Sequence, residues 1–329
     1  MKIETLQSLI ESFKKTRILV IGDLMLDEFI WGKVSRISPE APVPILEVEK
    51  TTFYPGGAAN VVRNLACFTT HGAMAGVVGK DEAGQQLLGL LQAEGALTEG
   101  IYCSPDRPTT RKTRIIARQQ QVVRVDREVK HKLNSEERLN LKRYLDQHLQ
   151  AFDGVIVEDY GKGLLDQDLA SEIIAACRHH QKILTVDPNP NNPLDWSGAT
   201  AIKPNRIEAL TSAGVAPRDD APALQEAAQI LMNRWESEYL LITLGDEGME
   251  LFQKGKPSYH TPTRAKEVYD VTGAGDTVIA LFTLALASGA SAIDSAEIAN
   301  HAAGIVVGKL GTATLSAEEL LQSFTETSP

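Results

Sequence analysis

The sequence predicts an α/β fold with a mainly parallel central sheet, and three observations carry that expectation. Short, continuous apolar runs recur along the chain, helix-length patterns separate them, and polar residues gather just after the runs. A run that is apolar at every residue suits a strand covered on both faces. Alternation of such strands with helices means βαβ units, with crossover helices on both sides of the sheet.

Taken in order, residues 1–15 carry Glu4 and Glu11 among apolar positions, the pattern of an amphipathic helix without a signal-peptide core. Residues 17–22 form the first buried strand, ending on Gly22. Residues 26–49 read as extended chain with no helix between them. A helix at 58–68, a strand at 73–78 and a helix at 84–93 follow, then a second extended segment at 109–125. Strands are expected at 154–157, 183–186, 201–202 and 239–244, with helices at 168–179, 207–213 and 221–235. A β-type stretch at 259–268 then leads to an apolar run at 277–287 suited to a helix. The two extended segments, about 26–50 and 109–126, are expected to pair as a small β-lid on one domain spanning 1–329.

Composition narrows the function. A net charge of −10 argues against a general nucleic-acid surface. Apolar runs such as 17–21 and 278–287 are far too short to span a bilayer. Cys67, Cys103 and Cys177 are widely spaced, with no C-x-x-C pair, which fits reduced thiols in a cytoplasmic protein and supports no metal site.

The most informative stretch is Asp270-Val271-Thr272-Gly273-Ala274-Gly275-Asp276. Gly273 and Gly275 remove Cβ atoms where a helix begins, so backbone N–H groups can close on an anion. Amides of Gly273, Ala274 and Gly275 would hold a transferring phosphoryl group, and Asp276 would accept the proton of an acceptor hydroxyl. A weak base suffices where the proton leaves late in a loose transition state. The competing reading is a glycine turn with an acidic first turn.

In strand-and-helix folds of this kind, ligands bind at the carboxyl ends of the strands. Asp23, Asp159, Asp187, Asn205 and Gly245 fall there. Asp23 and Asp27, four residues apart on extended chain, share a face and could accept hydrogen bonds from sugar hydroxyls, or could be solvated strand ends. Gly56 and Gly57 would let the backbone approach a ligand beside Asn60, although a diglycine also marks a plain turn. Residues 111–127 hold six basic residues against one acidic, a net of +5. With a period of two, Lys112, Arg114, Arg118 and Arg124 fall on one face. That face suits a phosphorylated substrate, or is the solvated face of an edge strand.

Asn205 and Glu208 have the spacing of a helix capping box, a role compatible with ordering Mg²⁺-bound waters near nucleotide phosphates. Thr243, Gly245 and Gly248 end a strand as a nucleotide-facing loop or a tight turn.

Together these stretches resemble the PfkB, ribokinase-like carbohydrate kinase family along the whole chain. The resemblance implies a three-layer sandwich with a β-lid. It implies Asp276 as base, with Gly273 to Gly275 as anion hole. Asn205, Arg206, Ile207 and Glu208 would serve Mg²⁺-ATP, with Asn205 and Glu208 reaching the metal through water. Thr243, Gly245 and Gly248 would lie beside the nucleotide, and Asp23 and Asn60 on the sugar. A monovalent cation such as K⁺ is a further cofactor candidate.

Within the family the chain is most similar to the heptose 7-phosphate kinases. Residues 35–44 (SRISPEAPVP), Asp159-Tyr160-Gly161-Lys162-Gly163 and residues 303–312 (AGIVVGKLGT) carry that similarity. It implies phosphorylation of the anomeric hydroxyl of D-glycero-β-D-manno-heptose 7-phosphate, in ADP-heptose and lipopolysaccharide precursor synthesis, with Asp159 and Lys162 also on the substrate. Two positions depart: Asn189 stands where that group carries Lys, and Glu158 where it carries Ser. Another sugar or sugar phosphate, such as fructose 1-phosphate, is the alternative substrate, and a non-catalytic sugar-binding regulator the more distant one. The chain stops at Pro329 without an H-x-G-H motif, so no nucleotidyltransferase domain is expected. A homodimer through the lid is expected, because a β flap is an exposed edge.

Overall fold

A computed structural model describes residues 1–118, 120–218, 220–309 and 311–326. Leu310, within one of the similarity stretches, and Pro329 lie outside the described residues. Elements run in the order α1 (Ile3–Phe13), β1 (Ile18–Gly22), β2 (Leu24–Ile37), β3 (Pro44–Gly57), α2 (Ala58–Ala66), β4 (Gly72–Gly79), α3 (Glu82–Ala93) and β5 (Leu97–Ser104). Then come β6 (Thr110–Ala117), β7 (Gln120–Arg127), α4 (Ser135–His148), β8 (Gly154–Glu158), α5 (Gln167–His179), β9 (Ile183–Asp187), β10 (Ala201–Ile202) and α6 (Arg206–Ala213). The last are α7 (Ala221–Trp235), β11 (Tyr239–Thr243), β12 (Met249–Gln253), β13 (Tyr259–Thr261), α8 (Ala274–Ala287), α9 (Ala292–Val306) and α10 (Ala317–Glu326).

Nine strands form the central sheet in the order β13-β12-β11-β10-β9-β8-β1-β4-β5. Its pairs are parallel from β5 to β11, and β12 and β13 add an antiparallel edge. Alternate residues of each parallel strand feed two cores, as the strand period of two requires. Leu19, Ile21, Val155 and Val157 pack under helices α4 to α7. Ile18, Val20, Met74 and Ile156 pack against α1, α2, α3, α8, α9 and α10. The result is three layers, helices on either side of one sheet.

The lid is a separate four-stranded sheet, β3-β2-β6-β7. Its boundaries differ from those expected. The second basic segment is two strands folded back at Arg118, a non-glycine residue at φ 58°, which sets Arg124 opposite Arg114 on the face that Lys112 shares and leaves Arg118 at the tip. The expected β-type stretch at 259–268 is strand only over Tyr259–Thr261. No helix among the described residues is long and apolar enough to cross a membrane.

Candidate active site

The centre of the site is the start of α8. Gly273 is its N-cap in the left-handed region (φ 81°), and a Cβ there would fall 2.7 Å from Asn60 Nδ2. Only glycine fits both demands. Of the amides expected to hold an anion, that of Ala274 is already bonded to Val271 O at 3.2 Å. Those of Gly273 and Gly275, and that of Asp276 beyond them, have no protein acceptor among the described residues, so the helix start keeps donors for an anion. Asp270 holds the approach to the turn by accepting from the amide of Thr272 at 2.9 Å.

Asp276 is buried, with two donors on its carboxylate. Asn60 Nδ2 donates to Oδ2 at 2.7 Å, and the Tyr160 hydroxyl donates to Oδ1 at 2.8 Å. Burial pushes its carboxyl above the usual range, against the pull of these two donors and of Lys203. A second polar rung holds α2 to α8: the Thr277 hydroxyl donates to Asn64 Oδ1 at 2.9 Å, and Asn64 Nδ2 donates to Asn60 O at 2.9 Å. Polar side chains on two helices thus fix where the Asp276 carboxylate sits.

Three groups around Asp276 had no role assigned from the sequence. Tyr160 donates to Asp276 across 116 residues of sequence. Lys203 sends its ammonium to 2.7 Å from Asp187 Oδ2 and to 3.5 Å from where a Cβ of Gly275 would be. Burial acts to lower its pKa, but the Asp187 and Glu158 carboxylates outweigh it and hold it above the usual range. Glu158 is paired in register with Asp187, is 1% exposed, and its Oε1 has no hydrogen-bond partner. Burial, then Asp187 and Asp276, push its carboxyl well up, and burial pushes Asp187 up to about 7. The advance signals were indirect: Tyr160 lay in the 159–163 similarity stretch, Glu158 stood out as a departure, and Lys203 preceded the Pro204-Asn205 strand end.

The expected sugar ligands divide. Asp23 spends both oxygens on backbone amides: Oδ2 accepts from Tyr160 and Lys162 at 3.1 and 3.0 Å, and Oδ1 from Leu164 at 3.2 Å. Asp159 likewise accepts from the Gly161 amide and Asn192 Nδ2, both at 2.8 Å. These two carboxylates shape the 159–164 loop, and each keeps acceptor capacity beyond those bonds, Asp23 on Oδ1 and Asp159 on both oxygens. Asp27 is ion-paired with Arg114, whose guanidinium also lies over Phe29 at 5.1 Å. Gly56 admits the Asp27 carboxylate, since a Cβ there would meet Oδ2. Gly57 precedes α2 and so sets Asn60 in its first turn. Lys112 lies on β6 in register with Asp27, and Lys162 is ion-paired with Glu128 at 2.6 Å. Arg118 is exposed at the hairpin tip, where the turn removes it from the face shared by Lys112 and Arg114.

On the nucleotide side, Asn205 Oδ1 accepts from the Glu208 amide at 2.9 Å and Glu208 Oε2 from the Asn205 amide at 2.8 Å, the reciprocal capping box expected. Arg206 pairs with Glu247 at 2.6 Å, and Ile207 is 73% exposed. The amide of Thr243 donates to Pro204 O at 3.1 Å, joining this corner to the next loop. Thr243, Gly245 and Gly248 line a cavity of about 220 Å³ whose other walls include Val271, Gly275, Ala303 and Val307. A mostly apolar cavity with Gly275 in its wall can take an aromatic base and deliver its phosphates to the start of α8. No cluster of three or more His, Cys, Asp or Glu side chains suited to a metal occurs among the described residues.

A model of the family described as pfkB family carbohydrate kinase matches residues 15–320. The chain is 45% identical over 321 residues to the Bifunctional protein HldE of Desulfatibacillum aliphaticivorans, covering 97% of this chain and 65% of that one. It is 45% identical over 313 residues to the protein of the same name from Helicobacter pylori strain J99, covering 95% and 67%. The chain therefore spans about two thirds of the length of the curated relatives it matches. Among solved structures, phosphofructokinase-2 of Escherichia coli in complex with potassium superposes with a TM-score of 0.76 at 20% identity, covering 94% and 99% of the two chains. Ribokinase of Arabidopsis thaliana complexed with ribose and ATP gives 0.71 at 16%, covering 94% and 98%. At those identities the likeness is one of fold, the ribokinase-like sandwich with its small second sheet.

Proposed function

The chain belongs to the pfkB family of carbohydrate kinases, and from that premise we propose that it transfers the γ-phosphoryl group of ATP to the anomeric hydroxyl of D-glycero-β-D-manno-heptose 7-phosphate. The products would be ADP and the 1,7-bisphosphate, a precursor for ADP-heptose and the lipopolysaccharide core. The observation that carries the reaction class is Asp276, buried between two donors at the start of α8. The relatives named Bifunctional protein HldE, with the residue similarities at 35–44 and 159–163, support the substrate.

In this reading the sugar hydroxyl lies against Asp276, whose oxygens each retain a lone pair beyond those Asn60 and Tyr160 use. The hydroxyl oxygen bonds to the γ-phosphorus as the bond to the β–γ bridging oxygen breaks, and its proton passes late to Asp276. Burial raises the carboxyl toward working pH, which improves it as a base. The amides of Gly275 and Asp276 and the Lys203 ammonium face the phosphoryl oxygens. Glu208 keeps Oε1 outside the capping bonds and Asp187 adds a second carboxylate nearby, oxygens that fit the waters of Mg²⁺, while Asn205 Nδ2 stays free to donate to a phosphate oxygen. Mg²⁺, when bound, would neutralise charge on the ATP phosphates. K⁺ remains a further cofactor in this reading, tested by turnover in its presence and absence.

The family match across 15–320 supports one kinase domain with a lid. The lid would also carry a homodimer contact, since Val122, Val123 and Val125 on its edge strand are 45–52% exposed. A monomer in sedimentation at micromolar concentration would sink that contact. We place the enzyme in the cytoplasm with its ATP; recovery of the chain outside the cytoplasmic fraction would refute this.

Glu158 and Asn189, the two departures from the heptose group, favour a second reading in which another phosphorylated sugar such as fructose 1-phosphate is the acceptor. ADP release with Mg²⁺-ATP across heptose 7-phosphate, fructose 1-phosphate, fructose 6-phosphate, ribose and fructose tests both. Preference for the heptose supports the first reading, and preference for another sugar overturns it while leaving the kinase in place.

A further inference from the structure

Tyr160 reaches Asp276 from a loop, and a hydroxyl on a loop is only as well placed as the loop is stiff. Asp23 accepts from three amides of this loop. A second set of bonds runs through Asp159. Its Oδ1 accepts from the Gly161 amide at 2.8 Å, which closes a turn with Tyr160 at its centre. Its Oδ2 accepts from Asn192 Nδ2 at 2.8 Å, and the same nitrogen donates to Leu165 O at 3.3 Å. Asn192 therefore holds both ends of the segment that carries Tyr160, the Asp159 carboxylate before it and the Leu165 carbonyl after it.

The stretch that presents Asn192 is itself constrained. Residues 188–193 read Pro-Asn-Pro-Asn-Asn-Pro, so three of these six have a fixed φ. Asn189 adds two local bonds, accepting from the Asn191 amide on Oδ1 and from the Asn192 amide on its carbonyl, both at 2.9 Å. The stretch begins just after Asp187, whose carbonyl accepts from the Asp159 amide at 3.2 Å where β8 and β9 end side by side. An amide suits the bridging position, because Nδ2 carries two hydrogens and meets two acceptors.

Resting on the kinase reading above, we infer that Asn192 is a positioning residue for the reaction, holding the 159–165 segment so that the Tyr160 hydroxyl stays on Asp276. Without the Asn192 amide, the Asp159 carboxylate that closes the turn is free to rotate, and the ring at the centre of that turn moves with it. A shift of about 1 Å in such a group is enough to cost up to about 10²-fold in rate.

The test is a double-mutant cycle of Asn192→Ala and Tyr160→Phe. Values of kcat and KM for ATP are read on the sugar that wild type prefers, with thermal midpoints checked. Asn192→Ala should lower kcat about tenfold and leave KM for ATP within about twofold. In the Tyr160→Phe background the same change should cost less than about twofold, because the hydroxyl it positions is already gone. Equal losses in both backgrounds, or full kcat in folded Asn192→Ala, overturn the role. Asn192→Asp, of the same shape without the donors, takes the place of the alanine variant if that one does not fold. Amide hydrogen exchange needs no turnover: it should quicken over 159–165 in the Asn192 variant while α8 exchanges as in wild type. Unchanged exchange over 159–165, or quickening spread evenly along the chain, also overturns the role. If wild type turns over no sugar, the kinase reading falls, and exchange over 159–165 then decides whether Asn192 holds the Tyr160 loop.

Discussion

Asn60 Nδ2 lies 2.7 Å from Asp276 Oδ2 although 216 residues separate them in the chain. The bond joins the first turn of α2 to the first turn of α8, and the Asn64–Thr277 contact repeats it one turn further along. The position of the Asp276 carboxylate is therefore a property of how two helices pack on one face of the sheet.

Asp276→Asn should keep this packing and lose the proton acceptor. We predict a fall in kcat of roughly 10²–10⁴. The thermal midpoint should be unchanged or higher, because a neutral amide is less costly to bury than a carboxylate. Near-normal turnover would remove Asp276 as the base.

Tyr160→Phe removes the donor on Oδ1 while leaving the ring in place. That donor favours the ionised carboxylate, so its loss raises the Asp276 pKa further. The base works only when deprotonated, and the acid limb of the kcat–pH profile should therefore move to higher pH, with much of the lost activity returning under alkaline conditions. An unmoved limb with uniformly lower kcat would show that Tyr160 acts otherwise.

Gly273→Ala combines a left-handed backbone with a Cβ 2.7 Å from Asn60 Nδ2. The backbone cost is about 1–2 kcal/mol. Displacing Asn60 should lower kcat by about 10- to 100-fold, more than that stability loss alone explains. Full activity in a folded variant would show that the Asn60 contact is dispensable.

Asp159 makes a pH prediction about stability. Burial raises its carboxyl to about 7 in the folded chain, above the value near 4 of an exposed aspartate. Between those values the folded state holds more protons than the unfolded one, so stability is greatest below the unfolded value and declines as pH rises toward about 7. One such group gives a slope of at most about 1.4 kcal/mol per pH unit. In Asp159→Asn, urea midpoints measured from pH 4 to 7 should lose this part of the slope; an identical slope would show that Asp159 stays ionised.

Much of this architecture could be read from local pattern. The parallel strands announce themselves because burial on both faces demands unbroken apolar runs, and α7 starts and ends where expected, capped by Asp220. Strand β7 could not be read alone, since all eight of its residues are exposed and show no alternation. Helix α9 is buried around most of its circumference and so shows no one-sided stripe. Helix α4 did carry a signal that went unread: Asn134 and Glu137 form a complete capping box. At the site, residues 270–276 were legible because a helix start needs local chemistry. The roles of Tyr160, Lys203 and Glu158 were not, because they arise only when strand ends far apart in sequence are laid side by side. Asp23 and Asp159 show the converse: nothing in the sequence around a strand-end carboxylate announces the loop amides it accepts from.

The three amides that Asp23 accepts have one more effect. They tie the 160–164 loop to the end of β1, so the hydroxyl that Tyr160 sends to Asp276 is carried by a loop anchored on the central sheet. The sheet thereby serves as a datum, and Asp276 takes its alignment from β1 as well as from α8.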